Sequence, residues 1–347
     1  MIDLLSDTVT LPTQAMRQAM SAAEVGDDCY GEDPTVTRLE ALAAATVGKD
    51  AAAFVCSGTQ GNLTALLAHC PRGHAVIAGD RSDLWHFEAG SVSLVGGLML
   101  GAVATEADGT LSLANLRSAI RDTSDHQYAP AGVIVLENPH CQTGGRVLSS
   151  SYVKDVRALA DEHALPIHLD GARLFNAAVA SKRTPAELVT DVDSVQFCLS
   201  KGLAAPFGSM VCGSRSFIEE VKRYRKLLGG GLRQAGIMAS AGIVALQTMV
   251  ERLEEDHRRA SRLAEKIRTI PGIRLSHAVV ETNMVFFRVE RDGLSTADFL
   301  SALSRRGVRM STLSEGVVRA VVHYMISDDE VDAVAAAIRS IVSTESP

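Results

Sequence analysis

The sequence predicts an α/β protein with a mostly parallel central sheet and a small α+β domain at its C-terminal end. Between about residues 35 and 215, short apolar runs alternate with helical patterns. These runs are continuously apolar, which is typical of parallel strands covered by helices on both faces. After Gly229-Gly230-Gly231 the pattern changes to a long helical stretch followed by two strand–helix pairs. The length of 347 residues also favours two domains, because it exceeds what one compact core usually holds.

Each predicted element rests on its own pattern. Helical periodicity covers 35–47, 59–69 and 151–162, and apolar runs predict strands at 51–55, 75–77, 132–136, 166–169, 195–199 and 208–212. In the C-terminal part, a helical stretch at 235–270 ends before Pro271-Gly272. It is followed by strand 284–289, helix 296–306, strand 317–322 and helix 328–342. We therefore expect an N-terminal arm at 1–20, a large domain at 21–240 and a small domain at 241–347.

The composition argues against several classes of protein. A formal net charge of −7, with 22% charged residues, disfavours a broad nucleic-acid surface. The sequence contains no run of about 20 apolar residues, so no membrane span is predicted. The acidic start Met1-Ile2-Asp3 lacks the basic region of a signal peptide. The six cysteines are scattered without a CxxC pair, and no metal site is predicted. We expect a cytoplasmic protein that binds neither nucleic acid nor membranes.

Two predicted strands end in residues with catalytic chemistry. One leads into Asp170-Gly171-Ala172-Arg173 and the next leads into Ser200-Lys201. Ligands of parallel sheets bind outside the carboxyl ends of the strands, so Asp170 and Lys201 belong at one site. Alone, Asp170 fits a helix cap and Lys201 fits a solvated loop cation. Together they fit pyridoxal phosphate (PLP), which needs a lysine for its aldehyde and an acid that keeps its pyridine nitrogen protonated.

A glycine-rich turn adds a candidate for phosphate binding. The segment Cys56-Ser57-Gly58-Thr59-Gln60-Gly61-Asn62 lies between a predicted strand and a predicted helix. Such a turn presents backbone N–H groups at a helix N-terminus, where the macrodipole favours a phosphate. By itself the turn also fits an ordinary strand–helix connection, and its spacing matches neither a Walker loop nor a dinucleotide fingerprint. Beside Asp170 and Lys201, phosphate binding becomes the favoured interpretation.

Further motifs occur in order along the chain. They are Ser6-Asp7-Thr8-Val9-Thr10, Tyr30-Gly31-x-Asp33-Pro34-Thr35, Glu88-Ala89-Gly90, Glu137-Asn138-x-His140, Gly229-Gly230-Gly231-x-Arg233-Gln234 and Thr282-Asn283-Met284. With the strand-end and glycine-rich segments above, this order resembles the low-specificity L-threonine aldolases. These are PLP-dependent enzymes of fold type I, the aspartate aminotransferase fold. The resemblance runs from residue 2 to the C-terminus.

The resemblance implies roles for the matching residues. Lys201 would carry PLP as a Schiff base, and Asp170 would pair with the pyridine nitrogen. Arg173 would lie near the phenolic oxygen of the cofactor or the substrate carboxylate. The other residues implied to bind the cofactor are Gly58, Thr59, Gln60, Ser200 and Arg233, and those implied to bind substrate are Ser6, Tyr30 and Arg319.

The resemblance implies a shared role for each of two groups of residues, one that holds the substrate carboxylate and one at a subunit boundary. Without the resemblance, Ser6 fits a turn cap and Arg319 fits a charge at a strand edge. With it, they hold the substrate carboxylate, a task that suits the fork of a guanidinium. Tyr30, Lys226 and Arg233 would face the site across a subunit boundary. The expected assembly is a homo-oligomer, a dimer of dimers.

The chain also departs from the family pattern. The family has a histidine, stacked on the pyridine ring, five residues before the glutamate of its Glu-Ala-Gly motif, and this chain has Asp83 there. Asp83 fits either a cap of the helix that carries Trp85 and His86, with another residue such as Trp85 or His86 covering the ring, or a site with altered chemistry. The altered chemistry would be a different substrate, a different base or slow aldol cleavage. His126 loosely matches a second active-site histidine and equally fits a surface position. A further departure is Ala204, where the family more often has glycine. The candidate catalytic residues are Lys201, Asp170, Arg173, Asp83, His86 and His126.

The implied function is cleavage of L-threonine, L-allo-threonine and related β-hydroxy-α-amino acids to glycine and an aldehyde. The enzyme would be a carbon–carbon lyase acting on small-molecule amino acids. Because of Asp83, a second function stays open. In that case the chain is a family member repurposed for β-elimination, transaldolation or another β-substituted amino acid. A PLP-binding protein with little catalysis is disfavoured by the retained Lys201, Asp170 and carboxylate-binding residues. A nicotinamide-dependent enzyme is excluded by the missing fingerprint.

Overall fold

A computed structural model describes residues 1–314 and 316–343 of the chain. Glu315 and residues 344–347, which we assigned to the small domain, lie outside the described residues. The strands are β1 (Ile2–Asp3), β2 (Ala51–Val55), β3 (Ala75–Gly79), β4 (Met99–Val103), β5 (Ala131–Glu137), β6 (Ile167–Asp170), β7 (Ser194–Cys198), β8 (Ser209–Gly213), β9 (Ile273–Leu275), β10 (Met284–Val289), β11 (Val308–Arg309), β12 (Ser311–Ser314) and β13 (Val317–Val321).

The helices surround these strands. They are α1 (Gln14–Ser21), α2 (Pro34–Val47), α3 (Gly58–His69), α4 (Asp83–His86), α5 (Ser91–Leu94), α6 (Leu113–Ala119), α7 (Ser150–Glu162), α8 (Leu174–Ser181), α9 (Pro185–Leu188), α10 (Arg215–Leu227), α11 (Gly236–Thr248), α12 (Leu253–Arg268), α13 (Thr296–Arg305) and α14 (Asp328–Ser343). Among the helices of the described residues, none is long and apolar enough to cross a bilayer.

The central sheet confirms the predicted α/β class. Its seven strands lie in the order β2-β8-β7-β6-β5-β3-β4. The pairs β7–β6, β6–β5, β5–β3 and β3–β4 are parallel, and β8 runs antiparallel to both of its neighbours. The carboxyl ends of β5, β6 and β7 therefore meet at one edge of the sheet, where ligands of such sheets bind.

The small sheet packs differently on its two faces. It is antiparallel, in the order β12-β13-β10-β9. One face carries Val285, Phe287 and Val318 in an apolar cluster that includes residues of α12, α13 and α14. The opposite face carries Met284, Phe286, Val317 and Val321, which pack against Cys141 of the large domain. This second face lies toward the edge of the central sheet where β5 ends.

The structure adds detail in two places, the N-terminal segment and the stretch predicted as one long helix. The N-terminal segment contributes β1, which pairs in parallel with β11, and Leu4 belongs to the apolar cluster of the small domain. The helical stretch predicted at 235–270 is two helices, α11 and α12, which separate at residues 249–252. The break contains neither glycine nor proline. The break lies within the apolar cluster of the large domain, which includes Met249 and Leu253, and the change to the cluster of the small domain follows inside α12, between Leu253 and Ala260.

Candidate active site

Asp170 lies buried at the edge of the central sheet, at the end of β6. In the strand register it stands between Glu137 of β5 and Gln196 of β7. Asn62 Nδ2 donates to Asp170 Oδ2 at 2.9 Å, and the backbone N–H of Ala172 donates to Oδ1 at 3.1 Å. Burial raises the pKa of Asp170 above its usual value. Both oxygens of the carboxylate are thus held in place by the protein itself.

A chain of hydrogen bonds runs behind Asp170. Asn62 Oδ1 lies 3.1 Å from His168 Nε2, and His168 Nδ1 lies 2.8 Å from Ser194 Oγ. His69 Nε2 lies 2.7 Å from the same hydroxyl. Burial lowers the pKa of His168 to about 3 and that of His69 to about 4. Both rings are therefore neutral, and the chain fixes the orientation of Asn62 without adding charge near Asp170.

Lys201 follows β7, the strand next to Asp170. Thr10 Oγ1 donates to the Lys201 carbonyl at 2.9 Å, which ties this turn to the N-terminal segment. Burial disfavours the charged ammonium, but the Cys198 thiol and nearby carboxylates raise the pKa of Lys201 above its usual value. The turn contains Ala204 at φ 62°, a left-handed conformation that costs a residue with a Cβ atom free energy.

Arg173 is paired inside the protein. Its Nε donates to Asp7 Oδ2 at 2.8 Å, and its Nη2 donates to Asp7 Oδ1 at 2.7 Å. Burial opposes the charged form of Asp7, but the guanidinium outweighs it and lowers the pKa of Asp7 below its usual range. The sequence singled out Arg173 but not Asp7, although Asp7 lies in the quoted motif Ser6-Asp7-Thr8. The two residues are 166 positions apart, so no local pattern reveals the pair.

Ser6 belongs to the N-terminal segment, and Arg319 contacts this segment at the neighbouring Leu5. Ser6 Oγ accepts a hydrogen bond from Thr8 N at 3.3 Å, so the side chain does cap a short turn. Arg319 donates from Nη2 to the Leu5 carbonyl at 3.2 Å and from Nε to Ser311 Oγ at 3.1 Å. Its Nη1 lies 3.7 Å from Cys141 Sγ. Arg319 therefore faces the large domain and is not a strand-edge charge directed at solvent.

The glycine-rich turn opens α3 as predicted. Ser57 is the N-cap, and its hydroxyl accepts from Gln60 N at 3.2 Å. Gln60 Oε1 accepts from Cys56 N at 2.9 Å, and a Cβ atom at Gly230 would lie 2.2 Å from Gln60 Nε2. Gln60 thus joins the turn to the Gly229-Gly230-Gly231 loop. Thr59 is exposed at the first turn and Ser200 is half-buried beside Lys201.

Asp83 is the first residue of α4 and does not cap it. The cap position is Ser82, which makes no capping hydrogen bond with its side chain. Asp83 N donates to Glu137 Oε2 at 3.1 Å, while Asp83 Oδ1 is buried without a partner among the residues that the structure describes. Trp85 and His86 are exposed, and His86 Nε2 lies 2.9 Å from the Asp80 carbonyl.

Two buried glutamates accompany Asp83. Asn62 Nδ2 donates to Glu88 Oε1 at 2.8 Å, and burial together with the Asp170 charge raises the pKa of Glu88 to about 9. Glu137 accepts from Cys141 N at 2.7 Å, and burial beside Asp83 raises the pKa of Glu137 well above its usual value. Glu88 therefore holds a proton at neutral pH. Sequence reasoning assigned these two glutamates no individual role.

Other candidates lie elsewhere on this chain. His126 is exposed on the loop that precedes the amino end of β5, which is the opposite edge of the sheet from Lys201. Tyr30 is 75% exposed, and the Arg233 guanidinium lies 5.9 Å from the centre of its ring. Arg233 also pairs with Asp27 at 3.0 Å. A single chain does not bring His126 to Lys201, so a role there requires another subunit.

The sequence is similar to named proteins over nearly its whole length. The model of the beta-eliminating lyase family matches residues 3–290. The low-specificity L-threonine aldolase 1 of Arabidopsis thaliana is 46% identical over 333 residues, which cover 95% of this chain and 93% of that protein. The low specificity L-threonine aldolase of Escherichia coli strain K12 is 42% identical over 344 residues, or 99% of this chain and 100% of that protein.

Solved structures share the fold. A threonine aldolase of Leishmania major has a TM-score of 0.83 at 19% identity, covering 99% of this chain and 100% of that chain. A putative L-allo-threonine aldolase of Listeria monocytogenes EGD-E has a TM-score of 0.82 at 20% identity, covering 98% and 96%. These likenesses show fold type I, and the closer sequence relatives show the family. The chain belongs to the low-specificity L-threonine aldolase family, within the beta-eliminating lyases.

Proposed function

We propose that this chain uses PLP to cleave L-threonine, L-allo-threonine and related β-hydroxy-α-amino acids to glycine and an aldehyde. One observation carries the proposal: Lys201 and the hydrogen-bonded carboxylate of Asp170 follow adjacent parallel strands, beside the N-terminus of α3. Full-length relatives named as threonine aldolases support the same reaction and do not favour the repurposed alternative.

The residues at this edge of the sheet fit PLP. A Cβ atom at Gly58 would lie 2.9 Å from Cys198 Sγ and 3.3 Å from Gln196 Nε2, so glycine lets α3 begin close to β7. The N–H groups of the first helical turn have no partner within the helix and suit a phosphate. Gly58, Thr59, Gln60, Ser200 and Lys201 would hold the cofactor at this end. When bound, PLP supplies an electron sink for the pair left on Cα when the Cα–Cβ bond breaks.

Asp170 would hold the proton of the pyridine nitrogen. Its two oxygens already accept from Asn62 and Ala172, so the charge is oriented before the cofactor arrives. The neutral His168 keeps Asn62 from rotating. This arrangement supports Asp170 in the electrostatic role rather than as a helix cap alone.

Arg319, Ser6 and Arg173 would orient the substrate. Arg319 is fixed through Leu5 and Ser311, and within the described part of the chain its Nη1 contacts only the Cys141 thiol, so it remains a donor for a carboxylate. The Arg173 fork uses Nε and Nη2 on Asp7, which leaves Nη1 for the ligand. Holding the carboxylate fixes which bond of Cα stands perpendicular to the cofactor ring, and that choice decides which bond breaks.

Asp83 would take the proton of the β-hydroxyl group. Its Oδ1 is buried and has no partner in the described parts of the chain, so it is open to a ligand. Glu88 holds a proton and adds no negative charge beside it, and burial also raises the pKa of Glu137. A carboxylate is a weaker base than the family histidine near neutral pH, so cleavage of threonine is expected to be slower than with a histidine there.

The test is release of acetaldehyde and glycine from L-threonine and L-allo-threonine by the PLP-loaded protein, recorded with its visible spectrum. We expect the two products in equal amounts. A spectral change without acetaldehyde would mean that the amino acid binds but its Cα–Cβ bond is not broken. Release of ammonia and a 2-oxo acid instead would favour the β-elimination alternative.

We also propose a dimer of dimers in which Tyr30, Lys226 and Arg233 complete the site of a neighbouring subunit. Their exposure supports this, as does Leu227, an apolar residue that is 72% exposed beside them. Light scattering should give the mass of four chains. Mixing inactive Lys201→Ala chains with inactive Arg233→Ala chains should restore some activity, because one site of each mixed dimer is then intact. A single-chain mass with full activity would contradict the proposal.

The reduced state of the cysteines supports a cytoplasmic location. All six cysteines are free, and Cys70, Cys141, Cys198 and Cys212 are buried. Buried thiols of this kind behave as small apolar residues. Titration of protein purified from the cytoplasm should find six thiols after denaturation without reductant, whereas a stable disulfide would contradict the assignment.

A further inference from the structure

A basic cavity lies between the segment before Asp83 and the small sheet. Its volume is about 290 Å³, and its walls include Arg81, Gln142, Arg274 and Arg288. Of the described residues that line it, three are arginines and none is acidic. None of these residues has a role in the cleavage described above.

Two of the arginines stand directly opposite each other. Arg274 of β9 and Arg288 of β10 are partners in the strand register, and like charges in that position repel. Arg274 is neutralised by an ion pair with Glu290. Arg288 is half-buried, and the described parts of the chain supply it with neither a hydrogen bond nor an ion pair. Among the residues that the structure describes, its charge therefore lacks a counter-charge.

The opposite wall supplies fixed donors. Arg81 Nη2 donates to the Gln142 carbonyl at 2.7 Å, so the guanidinium is held in place by one of its N–H groups. Gln142 Nε2 is buried with no hydrogen-bond partner among the described residues. An unpaired buried donor is costly, and a ligand with acceptor oxygens would satisfy it. The cavity thus presents donors and positive charge from both walls.

The cavity adjoins the residues that hold and cleave the substrate. Phe286 and Arg319 are partners in the register, so their side chains share one face of the small sheet. Arg288 lies two residues beyond Phe286 on the same face, about 7 Å farther along the strand. On the other wall, Cys141 contacts Arg319 and precedes Gln142. A group bound in the cavity would therefore be a few bonds from a carboxylate held by Arg319.

We propose that this cavity binds an anionic group, a carboxylate or a phosphate, at the end of the side chain of the β-hydroxy-α-amino acid. This inference rests on the proposed aldol cleavage. The preferred substrates are then β-hydroxy-α-amino acids with an acidic side chain, such as β-hydroxyglutamate. In its cleavage the β-hydroxyl loses its proton, the Cα–Cβ bond breaks and Cα gains a proton. The products are glycine and 3-oxopropanoate, and no oxidant or reductant is needed.

The experiment compares three substrates on the PLP-loaded protein: β-hydroxyglutamate, its neutral side-chain amide β-hydroxyglutamine, and L-threonine. We expect kcat/KM for the acid to exceed that for the amide by about tenfold or more, since hydrogen bonds to charged groups are the stronger ones. Arg288→Gln should remove this preference and leave threonine cleavage within about twofold. Arg274→Gln is the matched control, because its charge is already neutralised by Glu290, and it should keep most of the preference.

The outcomes separate this inference from the proposed function. If threonine and both larger substrates are all inert, the proposed aldol cleavage is wrong. If threonine is cleaved but the acid and the amide react equally, or if Arg288→Gln lowers all three rates together, the subsite is wrong. Inorganic phosphate should inhibit cleavage of the acid and not of threonine. Phosphate that changes threonine turnover, without a preference for the acid, would identify a free-anion site and overturn the subsite.

Discussion

On the cofactor side of the site, Asn62 joins Asp170, Glu88 and His168 by hydrogen bonds of 2.9, 2.8 and 3.1 Å. On the substrate side, Asp83 Oδ1 and Gln142 Nε2 are buried without a partner among the described residues. Both sides are lined with polar groups, and they lie within one site. They differ at the groups that would meet a ligand. Both oxygens of Asp170 have partners in the protein, although Glu88 Oε2 and Gln196 Oε1 nearby do not, whereas Asp83 Oδ1 and Gln142 Nε2 face the substrate side with none among the described residues.

This difference separates a preformed region from one that a ligand completes. Paired buried groups reinforce each other and keep a single geometry, which suits a cofactor that must be held in one orientation. Unpaired buried groups cost free energy and persist where a ligand supplies the partner. Changes on the cofactor side should therefore abolish binding or folding, whereas changes on the substrate side should alter rate and selectivity.

The largest effect is expected at Lys201. Lys201→Ala removes the attachment point of the cofactor, so the visible absorption band of lysine-bound PLP should disappear and cleavage should fall roughly a thousandfold or more. The measurement is an absorption spectrum with an aldehyde assay. Lys154→Ala, on the exposed surface of α7, is the control. A surviving band in Lys201→Ala would refute the assignment of the lysine.

The next largest effect is expected at the buried pair of Asp7 and Arg173. Asp7→Asn leaves the guanidinium buried without its counter-charge and should lower the free energy of unfolding by about 3–5 kcal/mol. The exposed pair of Arg117 and Glu162 is the control, and Glu162→Gln should leave the free energy of unfolding nearly unchanged. Denaturant titration measures both.

The same pair sets a dependence on acid pH. Because the folded protein lowers the pKa of Asp7, its contribution is present above the usual carboxyl pKa and is lost as the pH falls toward the folded value. The stability difference between wild type and Asp7→Asn should therefore shrink as the pH falls below about 4. If Asp7→Asn and the control variant of the exposed pair lower the free energy of unfolding equally, burial of the Asp7–Arg173 pair has no energetic consequence.

A pH-dependent effect is expected at Glu88. Its pKa is raised to about 9, so the folded protein keeps a proton that the unfolded chain releases above its ordinary carboxyl pKa. Stability then falls as the pH rises, by up to about 1.4 kcal/mol per pH unit between about 5 and 8. Glu88→Gln should remove this slope, and Glu254→Gln on the exposed face of α12 should not. An unchanged slope in Glu88→Gln would place the proton elsewhere.

A change of rate is expected at Asp83. Asp83→His supplies a stronger base near neutral pH and a ring that can stack on the cofactor, so kcat/KM for threonine should rise by about tenfold. The folded state should be unaffected, because the Asp83 side chain has no partner to lose at Oδ1. Steady-state kinetics measure the rate and a melting curve checks the fold. No gain in a folded variant would mean that the segment is adapted to another substrate.

The smallest effect is expected at Ala204, in the turn after Lys201. Its φ of 62° favours glycine, so Ala204→Gly should raise the free energy of unfolding by about 1 kcal/mol. Ala178→Gly, in the interior of α8, is the control with the opposite sign. It should lower the free energy of unfolding by about the same amount. Loss of stability in Ala204→Gly would show that the methyl group is worth more in packing than the backbone conformation costs.

Much of the fold could be predicted because the central strands are buried on both faces and read as apolar runs. The edge strand β4 was missed, since Met99 is 49% exposed and the strand lacks a continuous buried run. The division of 235–270 into α11 and α12 was also missed. Residues 249–252 contain no helix breaker, so the hydrophobic pattern does not show where α11 ends and α12 begins.

The site was predictable where its residues follow strands directly, as at Asp170 and Lys201. Sequence reasoning did not find Asn62 as a partner of Asp170, although it lies in the glycine-rich turn, because the two are 108 positions apart. Sequence reasoning also did not predict the basic cavity beside Asp83. It depends on the cross-strand register of Arg274 and Arg288, which no local pattern reveals.

The most direct test is a crystal structure of the protein with PLP and glycine bound. We predict that Lys201 and Asp170 contact the cofactor while the distances from Asn62 to Asp170 and His168 stay as they are here. Asp83 and Arg319 should gain contacts with the ligand or its water. A cofactor bound away from Lys201, or bound only after the Asn62 hydrogen bonds rearrange, would contradict the account.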